Sequence, residues 1–169
     1  MGRSQWCMGM NDSQTDARLV QAYLAGKSGA FEKLYERYER PLFSYLLKLI
    51  RERQAAEDIF QQTWMKVIKA LPVYEEKSKF SSWLFGIAHN CCIDYIRRVS
   101  NRREDESWSD QLDRLGDGRL LPDAEAEKND DLHHLARAID QLPGEQRAVV
   151  LMRIHGETPF REISDTMNC

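Results

Sequence analysis

Residues 79–98, Lys-Phe-Ser-Ser-Trp-Leu-Phe-Gly-Ile-Ala-His-Asn-Cys-Cys-Ile-Asp-Tyr-Ile-Arg-Arg, decide how the chain folds. At about 100° per residue, Phe80, Trp83, Leu84, Ile87 and Cys91 fall on one apolar stripe of a helix. Phe85, Cys92 and Ile96 add a second strip, leaving a narrow arc with Ser82, Gly86, His89, Asn90 and Arg97, and Ile93 among them. A helix apolar around most of its circumference is a core helix, and Trp83 is expected at the centre of its buried stripe. Gly86 costs about 1 kcal/mol against alanine inside a helix. Close approach to the polar arc is the usual compensation, by a neighbouring helix or by a ligand. The helix then runs into Arg97, Arg98, Arg102 and Arg103, a run suited to a nucleic-acid backbone.

Upstream, Asp16 to Ala25 reads as a short helix stopped by Gly26, and Ser28 can cap a second. In that second helix Phe31, Leu34, Tyr35, Tyr38, Leu42, Leu46, Leu49 and Ile50 keep helical spacing, while Pro41 predicts a kink or break. A third covers about Gln54 to Leu71 and ends at Pro72. Its buried arc takes Ala56, Ile59, Phe60, Thr63, Trp64, Val67, Ile68, Ala70 and Leu71. Its other arc carries Asp58, Gln61, Gln62, Met65, Lys66 and Lys69. Met65 stands there as an apolar point in a polar face, which fits the centre of a protein–protein contact.

Downstream, Glu104 opens an acidic stretch with Gly116, Gly118 and Pro122, which reads as a mobile linker over 104–131. Helical periodicity returns at Leu132, Leu135, Ile139 and Leu142. A helix over Gly144 to His155 follows Pro143 and ends at Gly156, and Thr158 or Pro159 opens a last one, Phe160 to Met167.

The net charge of −3 hides a segregation. Residues 18–103 carry 16 Lys/Arg against 9 Asp/Glu, a net of +7, and residues 104–131 carry 3 against 11, a net of −8. The 169 residues contain no apolar run of membrane-spanning length and no signal peptide. Met8 and Met10 are starts as plausible as Met1, and residues 1–15 read as disordered. The four cysteines form no CxxC pattern, which points to a reducing cytoplasm. No paired-carboxylate site, nucleophile elbow or phosphate loop is present, so no enzyme is expected, and neither a metal nor a cofactor.

Three blocks resemble bacterial RNA polymerase sigma factors of the extracytoplasmic-function (ECF) group. Gly26-Lys-Ser-Gly-Ala-Phe31-Glu-Lys-Leu34-Tyr35 resembles the family's first block, and Ala56-Glu57-Asp58-Ile59-Phe60-Gln61-Gln62 its polymerase-binding helix. Phe80 to Arg98 is similar to its promoter-melting segment in order and spacing. Leu142-Pro143, Arg147 and Glu162-Ile163 resemble the start of its second domain. The resemblance implies an all-α protein. Residues 16–103 would form a helical bundle like sigma region 2, 104–131 a flexible acidic linker, and 132–169 an incomplete helix-turn-helix like sigma region 4. With the family's recognition helix missing after Cys169, the chain is expected to be C-terminally truncated and its tail loosely ordered.

The resemblance also implies partners. Asp58, Gln61, Gln62 and Met65 would face the clamp helices of the largest subunit of core polymerase. Lys77, Lys79, Ser82, Gly86, His89 and Asn90 would take an unstacked base of the minus-ten element on the non-template strand. Arg97, Arg98, Arg102 and Arg103 would hold phosphates. His89 stands where the family usually has a basic residue, so its charge would depend on pH. An anti-sigma factor is a further partner of this kind, and no membrane is involved. Two other classes compete. A helical adaptor that never meets DNA would account for Met65 but not for the arginines. A metal enzyme using His89, Cys92 and His133 or His134 would need three or four ligands drawn from both sides of the linker.

Overall fold

The computed structural model describes residues 15–75, 78–100, 108–115 and 130–167. Among these residues the regular structure is helical: α1 (Asp16–Leu24), α2 (Ser28–Ile50), α3 (Arg53–Ala70), α4 (Phe80–Val99), α5 (Trp108–Leu115), α6 (Asp130–Asp140), α7 (Gly144–His155) and α8 (Phe160–Met167), with one 3-10 turn at Leu71–Val73. The chain is all-α, and its helices other than α5 begin and end close to where periodicity and punctuation place them. None of the described helices is long and apolar enough to cross a membrane.

The chain divides into two compact units, Met1–Arg37 and Tyr38–Cys169. In the first, the Thr15 hydroxyl accepts from the Arg18 amide and starts α1. Gly26, at φ +89°, ends it in the left-handed region that glycine enters without steric cost. Tyr23 packs on Phe31 with ring centroids 5.3 Å apart, and Asp16 pairs with Arg37.

In the second unit α2 continues through Pro41 to Ile50, so the expected break does not occur. A proline inside a helix costs about 3 kcal/mol. Leu42, Tyr45, Leu46 and Leu49 follow it fully buried, and each such side chain returns about 1.5–3 kcal/mol. Packing therefore outweighs the lost hydrogen bond. The chain turns at Arg51, in the left-handed region at φ 62°, and enters α3.

Helices α3 and α4 form the most extensive pair in this unit. Ala56, Ile59, Thr63, Trp64 and Val67 of α3 are buried, as the spacing predicts. Ile68 is not: it stays exposed, three residues on from Met65. On α4, Leu84, Phe85, Ala88, Cys92 and Ile96 have no exposed surface, and Phe85 meets Tyr45 edge-on at 5.3 Å.

The stretch expected to be a mobile linker contains α5. Trp108 and Leu112, one helical turn apart, supply an apolar edge in an acidic background, and Leu112 is buried. Gln111 bonds Ser100 at the end of α4. Residues 101–107 and 116–129 lie outside the described residues. The tail expected to be loosely ordered has its own buried side chains, Ala148, Leu151, Met152 and Ile163. It packs on α4 and α5 rather than standing alone. Asp113 of α5 holds its start: one oxygen accepts from the Gly144 amide at 3.2 Å, the other from Arg147 at 3.3 Å. Arg147 is buried and also donates to the Leu142 carbonyl. Its burial and the nearby Arg51 pull its pKa down, and Asp113 opposes that pull. Arg51 also bonds the Asp140 carbonyl, tying the end of α6 to the α2–α3 turn.

Candidate nucleic-acid interface

The polar arc of α4 opens onto a cleft of about 510 Å³, walled on this side by Ser82, Trp83, Gly86, Ile87 and Asn90. The Ser82 side chain is buried, and its hydroxyl finds no hydrogen-bond partner among the described residues. A buried hydroxyl left unpaired costs about 1–3 kcal/mol, which a ligand with a polar edge would recover. Asn90 is exposed at the far end of the cleft. A methyl group placed on Gly86 would meet the Thr166 side chain at 3.6 Å, an ordinary contact. Helix packing therefore does not itself demand the glycine.

Trp83 is not the core residue its stripe suggested. It is half-buried in the cleft wall, and its ring lies 4.6 Å from that of Tyr74. Its position three residues before Gly86 and seven before Asn90 already places it on the polar face at helical spacing. Lys79 is exposed at the N-cap of α4, and Arg97 and Arg98 are exposed on its last turns. The Arg98 guanidinium donates to the Asp94 carbonyl. Asn90 and Arg97, seven residues apart, are separated by about 10 Å along the axis at 1.5 Å per residue. Lys77, Arg102 and Arg103 lie outside the described residues.

His89 corrects the sequence reading most sharply. It has no exposed surface, so it cannot touch a strand lying along the arc. Its Nδ1 is hydrogen-bonded to the Tyr45 hydroxyl at 3.0 Å, and Trp108 meets its ring edge-on at 5.1 Å. Nε2 has no partner among the described residues. Burial holds its pKa at about 4, so the ring is neutral at pH 7. His89 completes the second apolar strip: Phe85, His89, Cys92 and Ile96 follow one another at four, three and four residues. Cys92 is buried beside it, with its thiol pKa pushed up by burial. Neither faces a ligand set, and among the described residues no three His, Cys, Asp or Glu side chains gather.

On α3, Asp58, Gln61, Gln62 and Met65 share one exposed face. Met65 is 56% exposed and Ile68 37%, so the apolar point expected at Met65 extends to a second side chain. Spacing could have found it, since Ile68 lies three residues beyond Met65. Sequence reasoning also missed the opposite wall of the cleft, formed by Glu162, Asp165 and Thr166 of α8.

The family model for sigma-70 region 2 matches residues 34–103, which span most of α2 and all of α3 and α4. The chain is 30% identical over 146 residues to the RNA polymerase sigma factor CarQ of Myxococcus xanthus, covering 85% of this chain and 80% of that protein. It is 29% identical over 127 residues to the ECF RNA polymerase sigma factor SigX of Bacillus subtilis, covering 73% of this chain and 64% of SigX. With SigM of the same organism it shares 27% over 140 residues, 81% of each protein. The α4 wall of the cleft and the exposed face of α3 lie within the region 2 match, while the α8 wall lies beyond it, and the chain belongs to the ECF group of RNA polymerase sigma factors.

Proposed function

We propose that this chain is a transcription-initiation factor that directs core RNA polymerase to promoters and opens the minus-ten element. It does so as a binding protein, without chemistry of its own. The observation that carries the reading is the cleft on the polar arc of α4, with an exposed Asn90, the side-chain-free Gly86 and a Ser82 hydroxyl that has no partner among the described residues. An unstacked base of the non-template strand would enter there against Trp83, with its polar edge toward Ser82 and Asn90. Stacking on an aromatic ring contributes about 1–3 kcal/mol per base, comparable with the cost of flipping one out. Arg97 and Arg98 would hold phosphates along the same helix, with Lys79 at its start and Lys77, Arg102 and Arg103 in the flanking segments.

The polymerase would dock on the α3 face. Met65 and Ile68 form an apolar centre, with Asp58, Gln61 and Gln62 as a polar rim, the usual anatomy of a protein interface. The test is capture of core polymerase by the wild-type chain and by Gln61→Ala/Met65→Ala. The double variant should weaken binding by about tenfold or more, the effect of losing a central anchor, and keep its helical circular dichroism. Unchanged affinity would overturn the α3 assignment. An adaptor would bind polymerase yet give no transcription from a promoter template.

A further inference from the structure

The two walls of the cleft together are rich in hydrogen-bond acceptors. On α8, Glu162 and Asp165 lie three residues apart and so share one face, with Thr166 beside them. The Thr166 hydroxyl is spent on the Glu162 backbone carbonyl at 2.8 Å. Oε2 of the Glu162 carboxylate is buried and has no partner among the described residues. Across the cleft the Ser82 hydroxyl is in the same state, on a residue only 5% exposed. Asn90 adds a side-chain amide at the rim. Among the described residues no lysine or arginine lines the cleft, so its lining carries two carboxylates without a facing cation. A buried acceptor without a donor is unfavourable. The group that relieves both walls has to bring N–H donors and a positive charge.

The space between the acceptors suits an organic molecule. Its volume of about 510 Å³ falls in the usual range of small-molecule sites, about 300–1,000 Å³. Trp83 and Ile87 give it an apolar side, and Gly86 leaves the floor between them free of a side chain. A cation within about 6 Å of a tryptophan ring is attracted by its face. The α8 wall is also fixed in place. At Gly156, before α8, a methyl group would come within 2.9 Å of the Phe85 ring and of the Met152 carbonyl oxygen, so only glycine permits that approach. A bare divalent metal fits less well. Calcium takes six to eight oxygen ligands, and no three His, Cys, Asp or Glu side chains gather among the described residues.

We infer that the cleft between α4 and α8 is a binding site for a small organic cation, an amidinium, guanidinium or primary ammonium group on a flat apolar body. The charged group pairs with Glu162 and Asp165 and donates to the Ser82 hydroxyl. The apolar body lies against Trp83 and Ile87, over Gly86. The site goes beyond the DNA reading of α4 and does not depend on it. Only its consequence does: a cation seated on Ser82 and Asn90 excludes a base from them, so the cleft would answer to a small cationic effector.

The experiment is an NMR titration of the full chain, without polymerase or DNA, using benzamidine and 2-phenylethylamine as probes and neutral benzamide as the control. Both cations should shift the Trp83 indole and the Gly86 and Thr166 amides in a saturable way, and benzamide should bind at least about tenfold more weakly. Two variants locate the ligand by different routes. Glu162→Gln/Asp165→Asn removes the charge and should weaken both cations about tenfold or more. Gly86→Ala fills the floor with a methyl group that meets Thr166 only at 3.6 Å, so the fold is kept while the ligand loses its seat. Absence of a saturable shift with either cation overturns the proposal, as does benzamide binding as tightly as benzamidine. Unchanged affinity in either variant overturns it too, because the cation then lies outside the cleft. Failure of Asn90→Ala to affect minus-ten recognition by the holoenzyme would remove the DNA reading and leave this site standing.

Discussion

Lowering the pH from 7 to 5 should destabilise this protein through His89. The ring sits between Tyr45, Trp108 and the buried thiol of Cys92, and burial disfavours a positive charge on it. Its pKa is about 4 in the folded chain against 6.5 in an exposed histidine. The unfolded state therefore binds more protons throughout that window. The stability His89 gives by staying neutral is complete above pH 6.5 and is lost as pH falls toward 4. At 1.36 kcal/mol per unit the whole shift amounts to about 3 kcal/mol, of which about 2 kcal/mol is spent between pH 7 and pH 5. Urea unfolding followed by circular dichroism at pH 7, 6 and 5 measures it, with His89→Gln as the non-titrating control. The wild-type curve should fall more steeply than the control by that amount. Parallel curves, or a ring that titrates near 6.5 by NMR in the folded protein, would refute the reasoning.

Gly86→Ala should keep the fold and stabilise α4 by up to about 1 kcal/mol, because the added methyl meets Thr166 only at ordinary contact distance. The same change should impair recognition of a minus-ten oligonucleotide by the holoenzyme, and a loss of urea stability instead would show that α8 tolerates no side chain there. Arg97→Ala should weaken all single-stranded sequences alike and lower the salt slope of binding by about 0.7. A loss confined to one sequence would remove Arg97 from the phosphate role.

Much of this fold is legible in the residues. Gly26, Pro143 and Gly156 punctuate the chain where helices start or stop, and the apolar spacing of α3 and α4 identifies the buried pair. The failures have common physical causes. A single helical wheel does not say how wide the buried arc is, so residue type suggests the polar side for His89 although its angle continues the strip Phe85–Cys92–Ile96. Its apolar character suggests the core for Trp83, although it shares a face with Gly86 and Asn90. In both, angular position decides and residue class does not. Pro41 breaks helices locally, but tertiary burial of the residues after it decides otherwise here. The acidic composition around α5 concealed the Trp108–Leu112 edge. The α8 wall of the cleft depends on how distant helices dock, which periodicity within one helix does not encode.

The central claim is that the arc of α4 captures a base and so opens the promoter. Potassium permanganate reactivity of thymines in the minus-ten region, with this chain and core polymerase on a matched linear promoter, tests it most directly. The wild-type holoenzyme should make those thymines reactive, and Asn90→Ala should reduce that reactivity while core polymerase binding stays intact. Absence of reactivity with a wild-type holoenzyme that binds the promoter, or equal reactivity with Asn90→Ala, would contradict the account.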